Sequence, residues 1–262
     1  MINYTYLYLI SPLHTGGTTQ EGNLLGIARE SHTNLPYIPS STIRGRLRAT
    51  VVDQSTRFKL FGTELKDSQQ LEQGDIWIGD GSILWLPVPS LSHSIIWISC
   101  PMLLHRWLRL QGNISNLPAE YSCNFTTGNA VYLKDAIFQA DKLTQWQDWK
   151  TFVPQTPETS VINRVLVLPD QHCATLIQMS LWRQVKVKLD EHKSVDGGFR
   201  YEEAIPPDTL MYFSWGTTSQ ANGTARQSNA DFQNLLAENS IVQIGGQESL
   251  GRGFVQQWLN KG

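Results

Sequence analysis

Three arginines at alternate positions, Arg44, Arg46 and Arg48, are the first residues in this chain whose spacing suggests chemistry. They follow Pro39-Ser40-Ser41-Thr42, a proline and a run of hydroxyl side chains that read as a helix start, and Ile43, Leu47 and Val51 recur at helical spacing. A helix over about 41–52 places Arg44 and Arg48, four apart, on one face. Its first turn adds N–H groups without helical partners, so the segment suits a phosphate. A solvated cationic face fits the same residues equally well. Between positions 29 and 59 there are six basic side chains (Arg29, Arg44, Arg46, Arg48, Arg57, Lys59) and two acidic ones (Glu30, Asp53), although the net charge of the whole chain is -2.

A second constellation is Gln243-Ile244-Gly245-Gly246-Gln247-Glu248-Ser249-Leu250-Gly251-Arg252-Gly253, directly after a β-prone run. It has neither a GxGxxG frame nor GK[ST], so it is not a nucleotide-binding loop of either kind. Its glycines would let a backbone approach a phosphate beside Arg252, or simply make a tight strand-to-strand turn. Sets for catalysis are scarcer. There is no GxSxG elbow and no HExxH, and Cys100, Cys123 and Cys173 have no obvious histidine partner. Three widely spaced cysteines are not a disulfide framework, and a reducing cytoplasm is the expected location. His14 lies in a polar, glycine-bearing stretch, 11–23, read as a functional loop. Glu202-Glu203 could bind metal or exchange protons, with a solvated acidic pair as the plainer reading.

These groups need a scaffold. Ile2 to Ile10 has no clean polar face and reads as a central strand. Ile83–Leu86 and Ile95–Ile98 read as paired strands around a proline-rich connection, and Pro101–Leu110 as a helix with Leu103, Leu104, Trp107 and Leu108 as its apolar stripe. Val161–Leu168 is a further strand. From Leu181 to Tyr201, Val185, Val187 and Leu189 alternate with Lys186, Lys188 and Asp190, which predicts a protruding basic two-stranded ribbon turning at Asp196-Gly197-Gly198. Leu210–Trp215 is a strand, Ser228–Glu238 a helix capped by Ser228 or Asn229, and Ile241–Ile244 a strand. The fold class expected is α+β, an elaborated ferredoxin-like sheet in one domain spanning 1–262.

Composition bounds the rest. At 40% hydrophobic and 17% charged the chain is too apolar for disorder, and its net charge gives no global attraction to nucleic acid or anionic lipid. No apolar run is long enough to span a membrane. Nine tryptophans keep open a protein-interaction or carbohydrate-binding domain.

Taken in order, several stretches resemble the RAMP superfamily of CRISPR-associated proteins. They are Ser11-Pro12-Leu13-His14-Thr15-Gly16, Ala28-Arg29-Glu30-Ser31-His32-Thr33, Leu35-Pro36-Tyr37-Ile38-Pro39-Ser40-Ser41-Thr42-Ile43-Arg44-Gly45, Leu60-Phe61-Gly62 and Gly245 to Gly253. Pro87-Val88-Pro89-Ser90-Leu91, Trp97 to Pro101 and Lys188 to Pro206 look most like the backbone, guide-RNA-binding subunit of type III-B (Cmr) effector complexes. The resemblance implies an RRM-like core with insertions, including a β-hairpin thumb, here the ribbon 181–203 with Lys186, Lys188 and Phe199. It implies CRISPR RNA, target RNA, other RAMP subunits and further copies of the chain as partners, in antiviral defence and with no membrane. The residues placed along RNA are His14, Arg29, Arg44, Arg46, Arg48, Gly245, Gly246 and Arg252.

Members of the family also cut target RNA, using Mg²⁺ or another divalent metal and an Asp five residues before the Arg of the Arg-Glu pair. That position is Leu24 here, and an aliphatic side chain can neither ligate metal nor position water. Glu21, Asn23, Asp80 and Glu202 are the carboxylates and amide that could substitute. No cofactor is otherwise implied, and whether the chain is an enzyme stays open at this level.

Overall fold

The computed structural model describes residues 2–21, 24–63, 72–112, 117–125 and 128–260. In chain order the elements are β1 (Asn3–Leu9), β2 (Gly16–Glu21), β3 (Leu24–Ile27), α1 (Ser40–Thr50), α2 (Gln54–Phe61), β4 (Ile76–Ser90), β5 (Ser94–Ser99) and α3 (Pro101–Leu110). Short strands follow, β6 (Ser122–Cys123), β7 (Val131–Tyr132), β8 (Ile137–Phe138) and β9 (Thr144–Gln145), then β10 (Val165–Val167) and α4 (Asp170–Met179). The chain ends with β11 (Trp182–Leu189), β12 (Val195–Ala204), β13 (Leu210–Thr217), α5 (Ala225–Glu238), β14 (Ile241–Gln243) and β15 (Phe254–Leu259). The fold is a mixed α+β one.

Nine strands form one sheet in the order β14-β15-β1-β13-β4-β5-β10-β6-β9, and β11-β12-β3-β2 form a second. Within the large sheet β1, β13, β15 and β4 pair antiparallel. Tyr4 to Leu7 and Leu9 are all buried, so β1 can only sit with a strand on each edge and a layer on each face. Period-2 alternation sorts its side chains. Leu7 and Leu9 join Phe213, Trp215, Ile43 and Leu47 of α1, and Phe232 and Leu236 of α5. Tyr4 and Tyr6 join Tyr212, Trp85, Trp97, Trp107 of α3 and Phe152 on the other face. The indole N–H groups are used inside: Trp85 donates to the Phe152 carbonyl (2.8 Å), Trp97 to the Asp208 carbonyl (2.9 Å), Trp107 to Tyr6 Oη (3.1 Å) and Trp215 to Thr5 Oγ1 (3.0 Å). Much of the tryptophan content is therefore core, each such ring worth about 3 kcal/mol of burial, rather than a ligand-facing surface.

The central strand, the helix at Pro101–Leu110 with its four-residue apolar stripe, and the paired strands β4 and β5 match the sequence reading. Other expectations change. The stretch 11–23 is not one loop, because Gly16–Glu21 forms β2. Pro87 and Pro89 lie inside β4 rather than in a connection, opposite Trp97 and Ile95. The Pro89 carbonyl accepts from Lys134 N–H on the side away from β5, so neither proline removes a bond from the β4–β5 ladder. The strand expected over 161–168 shrinks to Val165–Val167, because a 3-10 turn at Pro157–Thr159, closed by a Thr156/Thr159 capping box, occupies the approach. Helix α5 starts at Ala225, and Ser228 is not its cap but a buried side chain donating to Asp75 Oδ2 at 2.6 Å.

Candidate nucleic-acid interface

Helix α1 buries Ile43 and Leu47 and turns Thr42, Gly45, Arg46 and Ala49 outward together. Those four, with Ser41, Gly16, Gln243, Gly245 and Gly246, line a cleft of about 410 Å³. The two stretches flagged independently in the sequence, 200 residues apart, thus form opposite walls of one groove. None of the described lining side chains is acidic. Arg46 is the guanidinium among the described lining residues. A Cβ on Gly45 or Gly16 would meet nothing within 4 Å, so these glycines keep the cleft wide rather than relieve a clash.

The pair expected to share this face does something else. Arg44 donates Nη2 to the Phe61 carbonyl at the end of α2, and burial together with the nearby Arg48 charge pulls its guanidinium below the usual arginine range. Arg48 is half-buried on the same helix. The first helical N–H is not free either: Ser40 N donates to Asp80 Oδ1 at 2.7 Å, so Asp80 is a helix-start acceptor.

The glycine loop is built mainly to meet its own chain. A Cβ on Gly245 would lie 2.4 Å from the His14 carbonyl oxygen, and one on Gly253 1.9 Å from the Ile244 carbonyl. Both have positive φ, 85° and 74°. Gly246 N–H donates to the His14 carbonyl and Gly253 N–H to the Pro12 carbonyl, each at 2.9 Å. His14 is buried, and its Nδ1 donates to the Glu203 carbonyl at 2.8 Å, so the ring supports the loop from beneath. Arg252 lays its guanidinium over Trp182, 3.7 Å from the ring centroid, and donates Nη2 to Gln184 Oε1 at 2.7 Å.

Strands β11 and β12 pair antiparallel as an exposed ribbon, with a bulge between Val187 and Leu189. Its turn is at 190–194, not at Asp196-Gly197-Gly198, because Asp190 Oδ1 accepts from His192 N (2.9 Å) and Ser194 N (2.8 Å). Register gives the ribbon two unlike faces. Val185 opposes Tyr201, Val187 opposes Phe199 and Leu189 opposes Val195, all exposed apolar side chains. The other face carries Lys186, Arg200 and Lys188, the last bridged to Asp196 at 2.8 Å.

At the ribbon's base the acidic pair is not solvated, contrary to the plainer reading. Glu202 and Glu203 are each 1% exposed. Lys186 Nζ and Arg200 Nη2 lie 2.6 and 3.1 Å from the Glu202 oxygens. Burial raises its pKa, but the hydrogen bond and charge of Lys186, a Gln247 hydrogen bond and the Arg200 charge bring it net below the ordinary carboxylate value. Glu203 is clamped by Arg29 Nη2 (2.7 Å) and Arg183 Nη2 (2.9 Å), so Arg29 is committed inside the chain.

This donor set does not fit a divalent cation. Leu24 pairs with Tyr201 and Leu25 with Glu202, so Leu24 shares the apolar ribbon face while the Glu202 carboxylate leaves the opposite one. Among the described residues no three His, Cys, Asp or Glu side chains converge on one point. Glu21 is described in its backbone only, paired with Leu24, and Asn23 lies outside the described residues.

A larger cleft, about 1380 Å³, opens at the far end of β1 among Tyr4, Tyr6, Trp107 and Trp258. Its charged lining is one Lys150 and one Glu158, which gives no preference for a polyanion. No helix among the described residues is long and apolar enough to cross a membrane.

The sequence signals for this site were uneven. Arg46, Gly245 and Gly246 were legible, but the cleft-lining Gly16, Gly45, Ala49 and Gln243 and the supporting Trp182 and Gln247 were missed. The small-residue spacing Thr42, Gly45, Ala49 on one helix face was the signal available.

The chain also matches known proteins in sequence and fold. Residues 6–256 match the RAMP superfamily. The CRISPR system Cmr endoribonuclease Cmr4 of Pyrococcus furiosus is 28% identical, over 97% of this chain and 94% of that one. The crystal structure of oligomeric Cmr4 from Pyrococcus furiosus superposes with a TM-score of 0.74 over the whole of both chains, at 24% identity. A subunit of the type III-B Cmr-beta complex bound to cognate target RNA, determined by cryo-EM, superposes with a TM-score of 0.75 over 99% of this chain and 97% of that one, at 19% identity.

Proposed function

This chain belongs to the RAMP superfamily, and on that premise we propose that it is the guide-RNA-binding backbone subunit of a type III CRISPR ribonucleoprotein. One observation carries the reading: α1 and the Gly245-Gly246 turn form a cleft with an arginine, two hydroxyls, glycines and no carboxylate. Such a lining takes a sugar-phosphate backbone and reads no base, which a protein serving many different guides requires. Arg46 is the principal phosphate contact, with Arg48 and Arg44 adding local positive potential. His14 and Arg252 hold the loop that makes one wall, and Arg29 holds the ribbon base through Glu203.

The unit β1-α1-β4-β13-α5-β15, with its strands side by side in the order β15-β1-β13-β4, supports a ferredoxin-like, RRM-like core. The rest of the chain is then insertion within one domain. The ribbon is the thumb, and its apolar face, with Phe199, suits unstacked bases of a guide-target duplex. Target RNA, other RAMP subunits and further copies of the chain are the partners this role requires. The endoribonuclease activity named for the Pyrococcus relative is not carried over, because the position of the family's Asp holds Leu24 and the ribbon-base carboxylates are already neutralised.

Guide affinity measured against salt tests the reading. Arg46→Ala weakens single-stranded RNA binding about tenfold and lowers the slope of log K against log salt by about 0.7, one phosphate contact. Arg48→Ala acts in the same direction. Unchanged affinity and slope in both variants would place the guide elsewhere.

A further inference from the structure

The ribbon is anchored to the rest of the chain by the β12–β3 ladder and the Arg29–Glu203 ion pair on one side, and by the glycine loop and what supports it on the other. Arg252 stacks on Trp182 and donates to Gln184, both on the first strand of the ribbon. Gln247, in the same loop, is held in a left-handed conformation at φ 65°, and its carbonyl accepts from Leu250 N–H (3.0 Å) and Arg252 N–H (3.3 Å), which folds the loop back on itself. A non-glycine residue in that conformation persists only where its surroundings fix it. His14, which receives Gly246 N–H on its carbonyl, donates from its ring to the backbone of Glu203. Trp182 and Gln184 share one ribbon face by register, so both Arg252 contacts grip the same side. Beyond this base the ribbon from Val185 to Tyr201 is mostly exposed.

The loop that grips the ribbon is the loop that walls the cleft. Gly245 and Gly246 line it, and Gln247 and Arg252 follow within seven residues. We infer that the 245–252 loop is the joint that sets the ribbon's direction against the cleft, with Arg252 and Trp182 as its positioning residues, so that RNA held in the cleft stiffens the ribbon. This rests on the cleft being the guide site. An RNA backbone pressed against Gly245 and Gly246 restricts the loop, and a restricted loop keeps the Arg252 guanidinium seated on Trp182. By linkage, a ribbon held in place raises RNA affinity by the same factor.

Hydrogen exchange of the full chain, with and without a short single-stranded RNA oligonucleotide, tests this. RNA slows exchange of ribbon amides at 183–189 and 195–203 in the wild type by at least about fivefold, the lower end of typical coupling between sites. Trp182→Leu keeps the apolar bulk and removes the ring. It remains folded, binds RNA at saturating concentration and loses the ribbon response, and Arg252→Lys, which keeps the charge but not the planar stack, loses it too. Protection that survives both substitutions would mean that RNA stiffens the ribbon without the Arg252–Trp182 contact and would overturn the joint, as would a wild-type ribbon indifferent to bound RNA. Wild-type protein that binds no RNA would instead overturn the cleft reading and this one together.

Discussion

The α1 cleft and the base of the ribbon hold opposite charges under opposite conditions. In the cleft, Arg46 lines an open groove in which no described side chain is acidic, and it has no ion-pair partner among the described residues. At the ribbon base, Glu202 and Glu203 are buried, and each is matched to two cations from its own chain. A charge exposed to a groove without an internal partner is available for an external one. A buried charge with two partners holds the structure together, and taking it away leaves its partners uncompensated. The contrast says that this molecule is built to receive an anion and has already spent its best-placed carboxylates on itself.

The strongest way to break the contrast is at Glu203. Glu203→Ala should destabilise the fold by about 3 kcal/mol, the low end for an uncompensated buried charge, because Arg29 is left unpaired while the more exposed Arg183 recovers water. Chemical denaturation measures this, and a cost under about 1 kcal/mol would reduce the clamp to a surface ion pair. Reversing the cleft charge with Arg46→Glu should leave stability nearly unchanged but cost about 2 kcal/mol of RNA affinity, roughly thirtyfold, in filter binding. Equal losses of stability and affinity would make Arg46 a structural residue like Glu203.

Gly45→Ala separates fold from function within one residue. The added methyl meets nothing, so α1 should gain up to about 1 kcal/mol of helix propensity, read as a higher denaturation midpoint, while the narrowed cleft binds RNA a few-fold more weakly. A gain in both would move the RNA off this face.

The pH dependence is smaller. Glu202 has its folded pKa held below the unfolded 4.5, so its contribution is complete above about pH 4.5 and is lost as pH falls through the lower folded value. The protection factors of the ribbon-base amides, corrected for the intrinsic pH dependence of exchange, should fall over that interval, and unchanged protection factors would show that Lys186 and Arg200 do not depend on the charge. The smallest expected effect is none: Mg²⁺ should leave the thermal midpoint of the chain unchanged, because the ribbon-base carboxylates are occupied by cationic side chains.

Legibility in the sequence followed the range of the forces involved. Helix α3 was read to its ends because Pro101 starts it and Leu103, Leu104, Trp107 and Leu108 mark its buried stripe locally. The ribbon's alternation was legible, but its turn was misplaced. Asp196-Gly197-Gly198 has the better turn composition, yet Asp190 wins by accepting two backbone N–H groups across the bend. The acidic pair was misread because solvation is the default for adjacent glutamates, and only the register of β12 sends one to Lys186 and Arg200 and the other to Arg29 and Arg183.

The sequence by itself determined β1, α1, α3 and the alternation of the ribbon, and the local basic excess over 29–59, because each depends on neighbours a few residues apart. It also settled that Leu24 cannot ligate a metal, since that is a property of the side chain alone. Only the tertiary structure decided which arginine faces the groove. Arg44, Arg46 and Arg48 are equivalent as a pattern, and packing α1 on β4 with Arg44 bonded to the end of α2 turns Arg46 toward Gly245 and Gly246. The requirement for glycine at 245 was likewise set by the fold, since what a side chain there would strike is the carbonyl of His14, 231 residues earlier in the chain. Contacts at that separation are fixed by how the strands order in the sheet, and no local propensity encodes that order.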